Sequence, residues 1–129
     1  MVEIIKSGGG EATFVEGDMC SREDISALHK RIIAVYGRLD AAVNNAGTMN
    51  DLNPFTDLSS DKFEHMWQVN VLGLLWCMQE QIRLMAPQKL GHIVNMSSAA
   101  GLHGTPGGAT YAATKHAVSI ISYSLSSSS

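Results

Sequence analysis

The 129-residue sequence predicts an α/β fold, part of a doubly wound parallel sheet in which three strands alternate with three helices. Three observations carry that expectation. Short apolar runs at residues 12–18, 39–45 and 92–97 have strand length. Stretches with apolar residues at helical spacing follow each run, the order that gives parallel strands and crossover helices. Asp18, Asn45 and Ser98 each fall near the carboxyl end of a run, where ligands of such sheets bind.

In chain order, Gly8, Gly9 and Gly10 form a loop before the first strand. Ser21 and Asp24 make a Ser-x-x-Asp helix start, because the hydroxyl can accept a free amide of the first turn. Ile25, Leu28, Ile32 and Tyr36 then recur on one face, and Gly37 can end the helix in a left-handed turn. The apolar centre of the 39–45 strand suits a sheet covered on both faces. Residues 48–59 are a polar loop containing Pro54. Asp61 and Glu64 open a helix running to about Ala86, with Phe63, Trp67, Leu74 and Met78 on one stripe. From Val69 to Met78 this helix is apolar almost all round, which predicts burial on both sides. After the 92–97 strand comes a glycine-rich loop at 101–108. A last helix starts near Thr110, with Ala113, Val118 and Ile121 facing inward, and 126–129 is a frayed serine tail.

The composition sets limits. Apolar residues at 45% and charged residues at 16% suit one globular domain over residues 1–129. A net charge of −3 provides no basic footprint, so nucleic acid is not an expected partner. The longest greasy stretch, residues 71–78, is far short of the ~20 residues a membrane span needs, and the first ten residues lack the apolar centre of a leader. Cys20 and Cys77 have no metal or redox spacing and fit a reducing compartment, so a cytoplasmic protein is expected. His29, His65, His92, His103 and His116 show no metal-binding spacing, so no metal is expected.

The chemistry centres on Tyr111 and Lys115. Four residues apart on a helix, they share a face. A free phenol titrates near pH ~10 and is a poor acid or base at neutrality; bringing it to ~7 takes roughly 4 kcal/mol of differential stabilisation. A nearby ammonium favours the phenolate. Ser98, thirteen positions before the tyrosine, can orient a substrate oxygen against the phenol. These are the parts for proton transfer to or from a carbonyl or alcohol oxygen. A Tyr-x-x-x-Lys pair also arises on solvated helix faces, and Asn70, within a helix, also suits a purely structural role. A serine hydrolase built on Ser98 and His103 lacks the Gly-x-Ser-x-Gly elbow.

Asp18, Asn44-Asn45-Ala46-Gly47, Asn70, Ser98, Tyr111 and Lys115, in this order and spacing, resemble the short-chain dehydrogenase/reductase (SDR) family, whose fold is Rossmann-like. The resemblance spans residues 8 to about 122. It implies an oxidoreductase that uses NAD or NADP to interconvert an alcohol and a carbonyl by hydride transfer. In that reading Tyr111 is the acid/base, Lys115 lowers its pKa and bonds the cofactor ribose, Ser98 holds the substrate oxygen, and Asn70 fixes a water that relays protons. Asn45, Ala46 and Gly47 line the adenine-ribose side, and Asp18 reaches the adenine amino group. Met19 stands where the family often has valine and keeps an apolar contact. The resemblance also implies a small-molecule alcohol or ketone substrate and a homo-oligomer formed through the helices at 61–86 and 110–125.

The family's opening strand and Thr-Gly-x-x-x-Gly-x-Gly turn have no counterpart here, since Gly8-Gly9-Gly10 lacks a strand before it and a helix after it. The sequence also stops before the family's next strand and Pro-Gly segment. The resemblance therefore implies the middle of a longer enzyme, supplying the third, fourth and fifth strands of the order 3-2-1-4-5-6-7. An isolated segment of that kind would expose sheet edges and apolar faces, be marginally stable and bind cofactor weakly. The rival reading is a catalytically inactive fragment or an interaction remnant. The sugar-nucleotide-modifying branch of the same superfamily shares Tyr-x-x-x-Lys, but the Asn44-Asn45-Ala46-Gly47 pattern argues against it.

Overall fold

The computed structural model describes residues 1–104 and 106–126. A short helix, α1 (Val2–Ser7), opens the chain. The sequence reading assigned no element there. Glu3 in its first turn and Lys6 in its last complement the helix dipole, and the amides of Gly8 and Gly9 close it on Ile4 O and Lys6 O. None of its residues is buried, so local preference rather than packing forms it.

The strand expected at 12–18 is absent: the described sheet has two strands, and this segment belongs to neither. A strand is held by a neighbour's ladder, and residues 12–18 find none. The segment instead lies along α2 (Arg22–Tyr36), where the Tyr36 hydroxyl donates to Thr13 Oγ1 at 3.1 Å. The limits of α2 follow the sequence signals. Ser21 Oγ accepts the Asp24 amide at 3.1 Å, and Gly37, at φ 74°, donates to Ile33 O at 2.9 Å. Its inner face differs in detail. Ile25 is buried, Leu28 and Ile32 are half-buried, Tyr36 is exposed, and His29 is buried instead, its Nδ1 2.7 Å from Ile25 O.

Strands β1 (Ala41–Asn44) and β2 (His92–Asn95) pair in parallel, Ala41 opposite His92 and Asn44 opposite Asn95. Both are shorter than the apolar runs that predict them. Bonds from His92 N–H to Asp40 O and from Met96 N–H to Asn44 O extend the ladder at each end. Between them runs a helical segment in three parts: α3 (Ser60–Trp67), a widened π turn (Gln68–Gly73) and α4 (Leu74–Met85), followed by a 3₁₀ turn (Ala86–Gln88). Helix α5 (Ala109–Ser126) follows β2, so the expected tail lies outside the described residues from 127 onward.

The core sits on one face of the sheet. Leu74, Met78 and Val118 bury themselves together, with Ile93 of β2 and Ile121 packed against them. The same face carries a polar ladder. Asn44 Nδ2 donates to Asn95 Oδ1 (2.8 Å) and Gln81 Oε1 (3.0 Å), Gln81 Nε2 returns a bond to Asn44 Oδ1 (2.7 Å), and Asn95 Nδ2 reaches Ser122 Oγ (3.0 Å). These part-buried amides satisfy one another and fix which residues of β1 and β2 stand opposite. The other face was expected to be covered too, yet Val43 is 65% and Val94 53% exposed. Successive side chains of a strand alternate between faces, and only the face toward α4 and α5 has helices on it.

Two contacts hold the segments around the long helix. Gly73 ends the widened turn against Met19: a methyl group on Gly73 would stand 2.5 Å from Met19 O and 3.1 Å from its Cε. Asp51, buried in the 48–59 loop, accepts the amides of Ser59 (2.8 Å) and Asn53 (3.2 Å). Ser59 in turn caps α3 through Lys62 N–H. The Ser59 amide chiefly, with the Asn53 amide and Lys62, holds the Asp51 carboxyl below the usual carboxylate range.

Gly73→Ala is expected to cost about 1–3 kcal/mol, the range for overpacking a close contact, measured by urea unfolding. Asp51→Asn should melt lower than the parent at about pH 7. Because the folded pKa is depressed, the parent's advantage is present above the ordinary aspartate value of ~3.9 and is lost as pH falls through the folded value. The two melting curves, followed by circular dichroism, should therefore converge as the pH falls through the depressed folded value.

Candidate active site

Tyr111 and Lys115 stand one turn apart on α5, and the Lys115 ammonium lies 5.8 Å from the centre of the Tyr111 ring. Lys115 is only 5% exposed. Its Nζ donates to Met96 O at 2.8 Å, a carbonyl just beyond the carboxyl end of β2. Among the described residues this is its one acceptor, which leaves two ammonium hydrogens for a ligand. Burial alone pushes the Lys115 ammonium below the usual lysine range. A cation short of solvent and of a counter-charge favours any nearby group that becomes negative.

Asn70 lies in the widened turn, a feature often found at functional sites. Its amide is heavily used. Oδ1 accepts the Thr48 amide (2.8 Å), and Nδ2 donates to Thr48 O (2.9 Å) and to Thr114 Oγ1 (3.0 Å). Both Nδ2 hydrogens are therefore committed to protein, and a second lone pair remains on Oδ1. Gly47, just before Thr48, brings the pieces to one point. A methyl group there would meet Asn70 Oδ1 at 3.4 Å and Lys115 Nζ at 3.5 Å, both ordinary contact distances.

Ser98 follows β2 at the start of a 3₁₀ turn (Ala99–Gly101) and accepts the Ala100 amide on Oγ at 3.2 Å. That bond uses a lone pair and leaves its O–H free to donate. The turn is pinned to α5 beside the lysine. Ser97 Oγ donates to Lys115 O at 3.2 Å and lies 2.9 Å from Ser119 Oγ. A methyl group on Gly101 would collide with Ser97 Oγ and stand 2.8 Å from Lys115 O, so only glycine permits this approach.

Asn45, Ala46 and Gly47 form an exposed rim directly after β1. Asn45 and Ala46, with Asn44 and Met19, border a cavity of about 280 Å³. Asp18 is exposed beside it. Its Oδ1 accepts the Cys20 amide (2.9 Å), and its own amide donates to Asp24 Oδ2 (2.9 Å), so the turn entering α2 is built around two carboxylates. Both thiols are raised: burial and neighbouring Asp18 raise Cys20, and burial pushes Cys77 to about 11.

The structure thus gathers Gly47, Asn70, Tyr111 and Lys115 around one point, sets Ser98 on the adjoining turn, and places Asp18 and Met19 beside the Asn45–Ala46 rim. The sequence reading omitted Thr48, Met96 and Thr114. Thr114 had a signal, since it stands three residues after Tyr111 and a helical threonine can bond the i−3 carbonyl. Met96 and Thr48 act through backbone atoms, and no side-chain pattern announces those.

The family profile described as short chain dehydrogenase matches residues 1–128. The chain is 37% identical over 119 residues to a 3beta-hydroxysteroid dehydrogenase of Mediterraneibacter gnavus, covering 92% of this chain and 43% of the relative. It superposes with a TM-score of 0.90 on a metagenomic short-chain oxidoreductase in complex with NADP, at 29% identity, over 96% of this chain and 56% of that one. An NAD+-bound xylitol dehydrogenase matches with a TM-score of 0.87 at 31% identity, over 91% and 45%. The chain spans about half the length of the proteins it matches. With its site built at the carboxyl ends of two parallel strands, this chain belongs to the short-chain dehydrogenase family.

Proposed function

We propose that this chain carries the acid/base and cofactor-contacting part of an oxidoreductase that uses NAD or NADP to interconvert an alcohol and a carbonyl. The observation that carries the reading is the buried Lys115 ammonium beside the Tyr111 ring, with two hydrogens to spare. The described residues fit a dinucleotide. The Asn45–Gly47 rim is exposed, the Gly47 backbone lies beside the ammonium, and the exposed Asp18 can meet an amino group. When bound, the nicotinamide supplies or accepts the hydride.

In reduction, Tyr111 Oη gives its proton to the substrate oxygen as that oxygen gains charge. The Lys115 ammonium stabilises the phenolate left behind. The free O–H of Ser98 donates to the same oxygen and fixes its position. Lys115 also holds the ribose, through its two spare hydrogens. Asn70 Oδ1 keeps a lone pair near Gly47 and Lys115, which suits a water that returns protons from solvent. Oxidation reverses each step, with Tyr111 as base.

The substrate is an alcohol or ketone. The matched proteins are named for a steroid and for xylitol, and the loops at 48–58 and 103–108 are where such preferences would be set. Exposed Ile120 and Tyr123 on α5, with half-buried Phe63 and Trp67 on α3, support a homo-oligomer formed through these helices.

In a full-length version, Tyr111→Phe is expected to lower turnover of reduced nicotinamide with a carbonyl panel by about 10²–10⁴-fold, the usual worth of a positioned acid/base. Cofactor affinity, followed by quenching of Trp67 and Trp76, should be unchanged. A variant that keeps the parent's turnover removes Tyr111 from the mechanism.

A further inference from the structure

We infer that Thr114 is a positioning residue, joining the loop after Gly47 to the turn that carries Tyr111 and Lys115. The inference rests on the function proposed above for the importance of that turn, but its geometry stands independently. Thr114 is fully buried. Its hydroxyl donates to Tyr111 O at 2.8 Å and accepts from Asn70 Nδ2 at 3.0 Å. Asn70 in turn holds both backbone polar groups of Thr48.

The direction of every bond in this chain is fixed. Thr48 N–H must find an acceptor, so Asn70 presents Oδ1 to it. That places both Nδ2 hydrogens on Thr48 O and Thr114 Oγ1. Thr114, having accepted, donates its one hydrogen to Tyr111 O. Every donor hydrogen in this chain is used, and none can turn without stranding another. A helical threonine that only satisfied itself would stop at the carbonyl of its own turn. This one accepts a bond from a different helix, and through it from the cofactor rim.

The consequence is mechanical. A hydroxyl bonded to the i−3 carbonyl tilts that peptide, here the one that carries Tyr111. Asn70 fixes where the hydroxyl points. The spacing between the Gly47 backbone and the Tyr111–Lys115 pair is therefore set by one amide and one hydroxyl, with no freely rotating link between them.

The test uses Thr114→Val, which keeps the shape and removes the hydroxyl, and Thr114→Ser, which keeps the hydroxyl. The Thr48 amide takes its bond from Asn70 Oδ1, so its hydrogen exchange, read by NMR in the full chain, reports the far end of the chain of bonds without needing activity. Thr114→Val should speed Thr48 exchange by about tenfold, the size one lost hydrogen bond gives, with amides of α2 unchanged. Thr114→Ser should restore the parent rate. In turnover assays, Thr114→Val should lower kcat by about tenfold at unchanged KM for the cofactor, and Thr114→Ser should recover it. Unchanged Thr48 exchange in Thr114→Val, or a serine variant as loose as the valine one, overturns the inference. If Thr114→Val does not fold, Thr114→Ser carries the test alone, and loosened Thr48 exchange in it is the overturning result. The exchange result decides the role of Thr114 whether or not the parent chain turns over, so its failure is seen separately from any failure of the proposed function.

Discussion

A buried ammonium with one carbonyl for company is the constraint around which this molecule is arranged. Charge out of water is costly unless partners replace the lost hydration. Lys115 has Met96 O, and Met96 is in place because its own amide completes the ladder between β2 and β1. The strand pairing, the helix that bears the lysine and the lysine's solvation are thus one problem. Its solution is incomplete, since among the described residues the ammonium has hydrogens unspent.

The scaffold around that lysine is tied together by polar contacts as well as apolar packing. Asn44, Gln81, Asn95 and Ser122 bond across the interior where aliphatic side chains would be ordinary. Apolar packing tolerates sliding, whereas a closed set of amide bonds accepts one alignment. The cluster lies beside the ladder end that presents Met96, so it defines the alignment on which the site depends. The Ser97–Ser119 contact and the close approach at Gly101 repeat the device about one turn earlier along α5.

What the sequence made legible was the part written in side chains. The serine cap and left-handed glycine of α2, two of the three strand positions, and the Tyr111–Lys115 face could all be read because each depends on residue type at a fixed spacing. What it hid depends on backbone or on neighbours. Residues 12–18 have the composition of a strand, but a strand exists only beside another. Helix α1 buries nothing, so no apolar period marks it. Asn70 was visible as a polar residue on an apolar helix, yet its partners at Thr48 are main-chain atoms that any residue type would offer.

The widened turn at Gln68–Gly73 also explains why the stripe of Phe63, Trp67, Leu74 and Met78 did not hold together: the first pair is half-buried, the second buried. Each residue of a regular helix advances the azimuth by about 100°, and a π turn absorbs one more residue than its neighbours do. Everything downstream is thereby rotated against everything upstream. The two halves each address a different surface, one toward α5 and the other toward the inner face of the sheet. Removing a single residue between 68 and 73 would let the segment close as regular helix: Met78 and Gln81 would keep the strands they serve, and Asn70 would lose the widened backbone that aims its amide.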